Sequence, residues 1–250
     1  MAPPAFLLVF TEPGPDVSDE EYNDWYNNEH IPLRVDTPAF LSWTRWKAAD
    51  GEKPAYGASY DLESYAATKQ APYTTLAETR SDREKDILRR LQLMDRRHYE
   101  LYEGLAPPPS ALYDPATPAP YVVFVSVETP PEHEEELNKW YDEEHIPMLA
   151  KVPGWVRSRR FVLADCNQMG QEAQKKEMPG KYLAVAEWAS LDAFETEEFK
   201  AVLGTPWAAK IMAKVALKER RLMSLLKKWH FDRPESEASH KLDEGGWADV

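Results

Sequence analysis

The sequence predicts an α+β chain in which two βαββαβ units lie sheet against sheet within one polypeptide. Three observations carry that expectation. Residues 25–32 read Trp-Tyr-Asn-Asn-Glu-His-Ile-Pro and residues 140–147 read Trp-Tyr-Asp-Glu-Glu-His-Ile-Pro, with six of eight positions matching. At the same offset of 115 residues, Pro38 falls on Pro153, Phe40 on Trp155, Arg45 on Arg160 and Trp46 on Phe161. A proline-rich stretch over residues 106–120 then reads as an extended spacer between two halves. Self-similarity at a fixed spacing marks a duplicated structural unit, so both halves are read alike.

Each half opens on a short apolar run, residues 6–10 and 121–125, rich in β-branched and aromatic side chains and bounded by Pro and Glu, the pattern of a buried strand. A helix follows. Ser18 with Glu21, and Thr129 with Glu132, fit capping boxes that satisfy free backbone amides at a helix start, and Pro32 and Pro147 are expected to end the helices. Strands are expected over 40–46 and 55–61 in the first half and 155–162 and 182–188 in the second. Second helical regions follow over 64–92 and 190–217, and last strands over 95–103 and 219–229. This order is the ferredoxin-like unit, whose sheet carries both helices on one face and leaves the other bare. Two such units cover each other's bare faces. The division is therefore a first unit over 1–105, a linker over 106–120, a second unit over 121–230 and a polar tail over 231–250. The polar run 164–180 and the tail fall outside the pattern and are expected to be mobile.

Composition narrows the function. Thirty Lys plus Arg against forty-three Asp plus Glu give a formal charge of −13, which repels nucleic-acid backbones and anionic lipid. No apolar run is long enough for a membrane span and no leader pattern opens the chain, so a cytoplasmic protein is expected. A single cysteine, Cys166, excludes an internal disulfide. Gly-rich phosphate loops, nucleophile elbows and paired-cysteine motifs are missing from the sequence, and the six histidines form no recognisable metal set.

The candidate chemistry sits in the duplicated motif. On a regular α-helix, at about 100° per residue, Glu29 lies within about 20° of Tyr22, on the face that carries Trp25 and Tyr26 toward the sheet. Glu144 stands likewise with Trp140 and Tyr141, and His30 and His145 flank those faces. A carboxylate between helix and sheet needs a partner, and Arg45 and Arg160 are the natural candidates. The same residues also suit a purely structural helix end, where a histidine favours the dipole. Tyr60, and His98 and Tyr99 on the last strand of the first half, complete the candidate binding residues. Leu222 and Met223 match His98 and Tyr99 in the second half, an asymmetry that fold alone explains less easily.

The Trp-Tyr-x-x-Glu-His-Ile-Pro motif, with Asp-Leu-Glu-Ser at 61–64 and Glu-Trp-Ala-Ser at 187–190, resembles the helix-end motif of the dimeric α/β-barrel superfamily, in its EthD-like branch. The resemblance covers roughly residues 5–105 and 120–230. Members of that superfamily include cofactor-free quinol monooxygenases, polyketide cyclases and decarboxylases, muconolactone isomerases and haem-binding enzymes. It implies an aromatic or polyketide-like ligand between sheet and helices. The expectation is a cofactor-independent lyase, cyclase or decarboxylase in which His30 or His145 is the acid or base and Glu29 or Glu144 orients it, with Trp25, Trp140, Arg45, Tyr60, His98 and Tyr99 about the substrate. One alternative is a non-catalytic ligand-binding or stress-type protein in which the motif serves the fold. Another is a monooxygenase or a haem enzyme with His30, His98 or His145 as axial ligand. The family norm is one unit per chain, so the fused pair leaves open whether both pockets work, one or neither, and whether the whole forms a further homodimer.

Overall fold

The computed structural model describes residues 2–104 and 107–229; the expected tail lies outside the described residues. Eight antiparallel strands close a barrel: β1 (Ala5–Glu12), β2 (Trp43–Ala48), β3 (Tyr56–Leu62), β4 (Leu93–Leu101), β5 (Tyr121–Glu128), β6 (Trp155–Met169), β7 (Tyr182–Trp188) and β8 (Ala216–Trp229). Their order around it is β1-β3-β2-β8-β5-β7-β6-β4. Within the first half the strands thus run β4-β1-β3-β2 and within the second β8-β5-β7-β6. The two sets meet edge to edge through β2–β8 and β4–β6.

Strand alternation sorts the apolar residues between two layers. On β1, Phe6, Leu8 and Phe10 face the barrel interior, where they meet Trp46, Tyr99, Phe124, Phe161 and Met223. Their neighbours Ala5, Leu7 and Val9 face outward and pack under the helices with Trp25, Tyr26 and Tyr60. The interior is therefore built from both halves at once.

Barrel closure explains the largest departure from the sequence reading. The run 164–180 was expected to be a mobile loop, but β6 continues through it to Met169 and pairs with β4 from Leu101↔Phe161 to Met94↔Met169. An unpaired edge of β4 would leave a row of backbone donors and acceptors open, and the extension satisfies them. Its polarity follows from its place at a charged barrel end, with Asp165 near Lys69 and Cys166 near Asp95. β8, fourteen residues long, closes the other seam against β2. Charged groups inside the barrel join the two halves: Arg97 of β4 reaches Glu219 of β8 at 2.6 Å and Arg159 of β6 reaches Asp61 of β3 at 2.5 Å, both across the interior, while Arg221 of β8 meets Asp50 just past β2 at 3.2 Å. The expected spacer is anchored as well, Ser110 donating to the Trp155 carbonyl and Arg157 donating to the Tyr113 hydroxyl.

The helices are α1 (Asp19–Trp25), α2 (Asp82–Arg90), α3 (Glu134–Trp140), α4 (Ile146–Leu149), α5 (Glu197–Leu203) and α6 (Pro206–Met212). Ser18 caps α1 as expected, accepting from the Glu21 amide at 3.1 Å. Thr129 does not cap α3: Pro131 opens a 3-10 turn, Pro131–His133, that moves the helix start past the reach of Thr129. Nor do the motif prolines end helices. Pro32 begins a 3-10 turn, Pro32–Arg34, and Pro147 sits in the first turn of α4, where its missing N–H costs nothing. The second helical regions are broken too. Residues 66–80 form only two 3-10 turns, Ala66–Lys69 and Tyr73–Thr75, before α2.

Because the ion pairs between the halves and the shared interior belong to neither half alone, fragments 1–110 and 116–250 expressed separately should self-associate or precipitate. Mixing them should give a heterodimer of the intact chain's size by light scattering. Two well-behaved monomers that ignore each other would contradict this account of the core.

Candidate functional site

The duplicated motif folds as a π-turn in both halves. Tyr26–His30 follows α1 and Tyr141–His145 follows α3, and the bonds that close them run from the Ile31 amide to the Tyr26 carbonyl and from the Ile146 amide to the Tyr141 carbonyl. A π-turn holds one residue more than an α-turn, which rotates every later side chain away from its regular position. Glu29 accordingly does not face the sheet. It accepts a short hydrogen bond from the Ser81 hydroxyl, the N-cap of α2, and lies 3.5 Å from Arg83. Glu144 does the same, accepting from the Thr205 hydroxyl at 2.6 Å, the N-cap of α6, and from the Trp140 indole at 3.0 Å. Each glutamate ties the end of one helix to the beginning of the next, where a helix N-terminus favours negative charge.

The expected Arg45–Glu29 and Arg160–Glu144 pairs are therefore not made. Arg45, fully buried, lies over the rings of Tyr26 at 4.4 Å, Tyr22 at 5.1 Å and Tyr56 at 5.4 Å, and donates to Asn27 at 2.8 Å. Arg160 lies over Tyr141 and Tyr102 and donates to Asn138 at 2.7 Å. Aromatic faces take the place of a carboxylate around Arg45, while Arg160 also has Asp142 at 3.8 Å.

With glutamate displaced, histidine occupies the inner position. His30 packs edge-on against Trp25 with ring centroids 4.7 Å apart and lies at the same distance from Tyr26. The Tyr26 hydroxyl shares a 2.6 Å hydrogen bond with that of Tyr60. Across from the ring is Glu84 of α2, a fully buried residue that the sequence reading did not single out. Its Oε1 lies 2.6 Å from Arg34 Nη2, 3.4 Å from Arg80 Nε and 3.5 Å from His30 Nδ1. Burial, followed by the charge of Arg34, pushes His30 down to about 4 even though Glu84 pulls the other way. Burial would raise Glu84, but His30 and Arg34 outweigh it and hold the carboxyl at about 2. The result is a neutral imidazole beside an ionised carboxylate.

The second half lacks these partners. His145 stacks on Trp140 at 4.3 Å; its Nδ1, buried and without a hydrogen bond like that of His30, has no carboxylate within 4 Å among the described residues, and burial with Arg160 nearby brings it to about 4. Leu149 follows its π-turn where Arg34 follows the first, and Ala208 lies three residues past the Thr205 cap where Glu84 lies three past Ser81. Comparing the halves at these positions is the signal by which the sequence could have shown Arg34 and Glu84.

The remaining candidates separate. His98 and Tyr99 are adjacent on β4 and so face opposite ways. Tyr99 enters the barrel interior, while His98 faces the helices and shares a 2.9 Å hydrogen bond with Tyr73, to which Arg96 also donates at 3.0 Å. Burial, followed by Arg96, brings His98 to about 4 as well. A narrow crevice lined by Leu33, Arg34, Leu76, Thr79, Arg80 and Glu84 adjoins the His30 cluster. A surface groove of about 620 Å³ lies between α3 and α6, lined by residues including Glu135, Lys139 and Trp207, and none of the candidate residues borders it. Among the described residues no group of three or more His, Cys, Asp or Glu is arranged to hold a metal, and no helix is long and apolar enough to cross a membrane.

No family model and no curated protein matches the chain. Solved structures do. An anthrone oxidase-like protein aligns over 92% of this chain and 93% of its own at 14% identity, with a TM-score of 0.53. A putative monooxygenase from Fusobacterium nucleatum aligns over 91% and 94% at 11% identity with a TM-score of 0.52. A haem-binding protein from Thermus thermophilus aligns over 91% and 92% at 10% identity with a TM-score of 0.55. At these identities the likeness shows the fold: this chain has the architecture of a dimeric α/β barrel, completed within one polypeptide.

Two outcomes follow from the geometry. Glu29→Gln and Glu144→Gln should each lower stability by about 1 kcal/mol, the scale of a charge-assisted cap contact, and move the thermal midpoint by roughly 2–4 °C. No change in melting would contradict the helix-tying role. The second outcome concerns acid. Unfolded histidines take a proton near 6.5 and His30, His98 and His145 only near 4, so between those values the unfolded chain binds more protons. Stability should fall as pH drops from about 6.5 to about 4, and Glu84 should extend the loss from about 4.5 toward 2. Urea midpoints at pH 7.5 and 5 should differ less in His98→Leu than in the natural chain.

Proposed function

We propose that the chain is two ferredoxin-like, EthD-like repeats joined by residues 106–120, and that it is a small-molecule enzyme with a single working site in the first half. The observation that carries this reading is the buried set of His30, Glu84 and Arg34, which the second half replaces with His145, Ala208 and Leu149. The fold tolerates the apolar version, so the charged one calls for another explanation.

In this reading His30 is a general base. Its neutral ring accepts a proton from an acidic O–H or C–H of an aromatic or polyketide-derived substrate, and the electron pair stays on the substrate as a phenolate or enolate. Glu84 stabilises the imidazolium that forms, and Arg34 keeps Glu84 ionised and in place. The Tyr26–Tyr60 hydroxyl pair lies on the same side of the sheet, with burial pushing Tyr60 up to about 12, so it remains a donor toward the developing oxyanion. Return of the proton after bond cleavage or ring closure gives a lyase, cyclase or decarboxylase without a cofactor. The likeness to proteins described as a putative monooxygenase and as anthrone oxidase-like favours a second reading, in which dioxygen reacts with the same deprotonated substrate. A haem is a poorer fit. His30 has the carboxylate backing that haem-ligating histidines use, but Trp25, Tyr26, Phe40 and Tyr60 fill the space beside it as buried core.

Mass spectrometry of compounds that co-purify with the protein identifies the substrate class for assay. On that substrate His30→Ala should lower kcat by about 10²–10⁴-fold with the fold intact by circular dichroism, while His145→Ala keeps near-natural turnover. Activity should stay level from pH 8 down to about 5, because the base is protonated only near 4. Turnover that persists without oxygen supports the lyase reading and loss of it the oxygenase one. Full activity in His30→Ala sinks both.

A further inference from the structure

We propose that the first half holds an anion site, formed by Arg34 and Arg80, that receives a carboxylate on the substrate. The inference deepens the proposed function and rests on the reading that His30 acts on a bound small molecule.

The charges beside His30 do not balance. Arg34 and Arg80 both converge on the Oε1 atom of Glu84, the atom that also faces His30, so one carboxylate serves two guanidinium groups and an imidazole. Arg96, on the neighbouring strand β4, donates to the neutral Tyr73 hydroxyl at 3.0 Å. Among the described residues no other carboxylate lies within 4 Å of any of the three arginines. Two guanidinium groups therefore share one buried negative charge, with the Arg80 side chain 27% exposed, an arrangement that an added anion relieves.

Folding does not require this excess. In the second half the positions of Arg34, Arg80 and Glu84 hold Leu149, Gly204 and Ala208, while Arg220, opposite Arg96 in the alignment of the halves, is exposed. Two independent chain segments deliver the arginines in the first half: the turn after the motif helix carries Arg34, and the irregular stretch 66–80 carries Arg80. The Nε of Arg80 faces Glu84 at 3.4 Å without a hydrogen bond, so the carboxylate holds this guanidinium only loosely. Leu33 and Leu76 flank Arg34 and Arg80 in the adjoining crevice, which is too narrow as it stands for a water molecule, so an aromatic acid enters only as these side chains part. The planar guanidinium fork matches a carboxylate in two parallel bonds, which a phenol or amide does not reproduce. A carboxylate on Arg34 and Arg80 sets the body of the substrate beside His30, which fits the removal of a proton near an acid group.

Isothermal titration calorimetry of the full chain with 2-naphthoate, its neutral isostere 2-naphthamide and inorganic phosphate tests the site. Naphthoate should bind at least about tenfold more tightly than naphthamide, weaken with added salt, and lose about tenfold in Arg80→Gln but not in the exposed control Arg83→Gln. Equal affinity for acid and amide, no loss in Arg80→Gln, phosphate bound more tightly than naphthoate, or no naphthoate binding at millimolar concentration each overturns the proposal. His30→Ala separates the two readings. If it binds naphthoate normally yet keeps full turnover, the catalytic role fails and the anion site stands; if the acid preference is missing while His30→Ala abolishes turnover, the reverse holds.

Discussion

Every strand edge in this molecule has to find a partner, and that constraint shapes more of the chain than the hydrophobic pattern does. A four-stranded sheet with helices on one face has two open edges as well as a bare face. Covering the face would need only contact, but pairing the edges needs register, length and matching curvature. β6 and β8 meet that need by running to fifteen and fourteen residues, well beyond the six of β2 and nine of β4 that they close upon. Once the seams are closed, charged side chains at the barrel ends are partly shielded from water and pair across the interior between the two halves. Arg97 with Glu219 and Arg159 with Asp61 are consequences of closure rather than its cause.

The π-turn is the second constraint, and it decides which motif residue meets the sheet. Had the helix stayed regular, a carboxylate would lie among Tyr22, Trp25 and Tyr26. With one extra residue in the turn, the carboxylate swings to the N-cap of the following helix and the imidazole moves inward. The swap suits both groups: an ionised glutamate gains a hydroxyl and a helix N-terminus, and a neutral histidine can be buried against aromatic rings at a smaller desolvation cost. Since Glu29–Ser81 and Glu144–Thr205 are made alike, this part of the motif is explained by architecture.

The strands and their order were legible because period-two patterning and turn residues are local signals. Residues 182–188, for example, form β7 at the bounds expected. What escaped was set by distant groups. Residues 164–169 look like a loop because their side chains are polar, yet their backbone is claimed by β4 from the other half. Glu29 was misplaced because a π-turn has no marker in a helical wheel, and Thr129 because two prolines downstream shift the helix start. In the site, His30 was found through its motif, whereas Arg34 and Glu84 have no motif of their own. They stand out only when the halves are set side by side and the positions that differ in charge are asked about.

That comparison also separates the two histidines chemically. Burial makes both reluctant to take a proton, so neither is charged near neutrality. Reluctance alone does not make a base, since a base must also hold the proton for an instant once it has it. His145 has no carboxylate within 4 Å of its buried nitrogen among the described residues, and the nearby Arg160 makes a protonated ring still less favourable. His30 faces an ionised carboxylate that is kept in place by arginine, so the charge that appears on the ring during proton transfer meets an opposite one already there. The same motif can therefore serve packing in one half and chemistry in the other, and the difference lies in Glu84 and Arg34 rather than in the histidine.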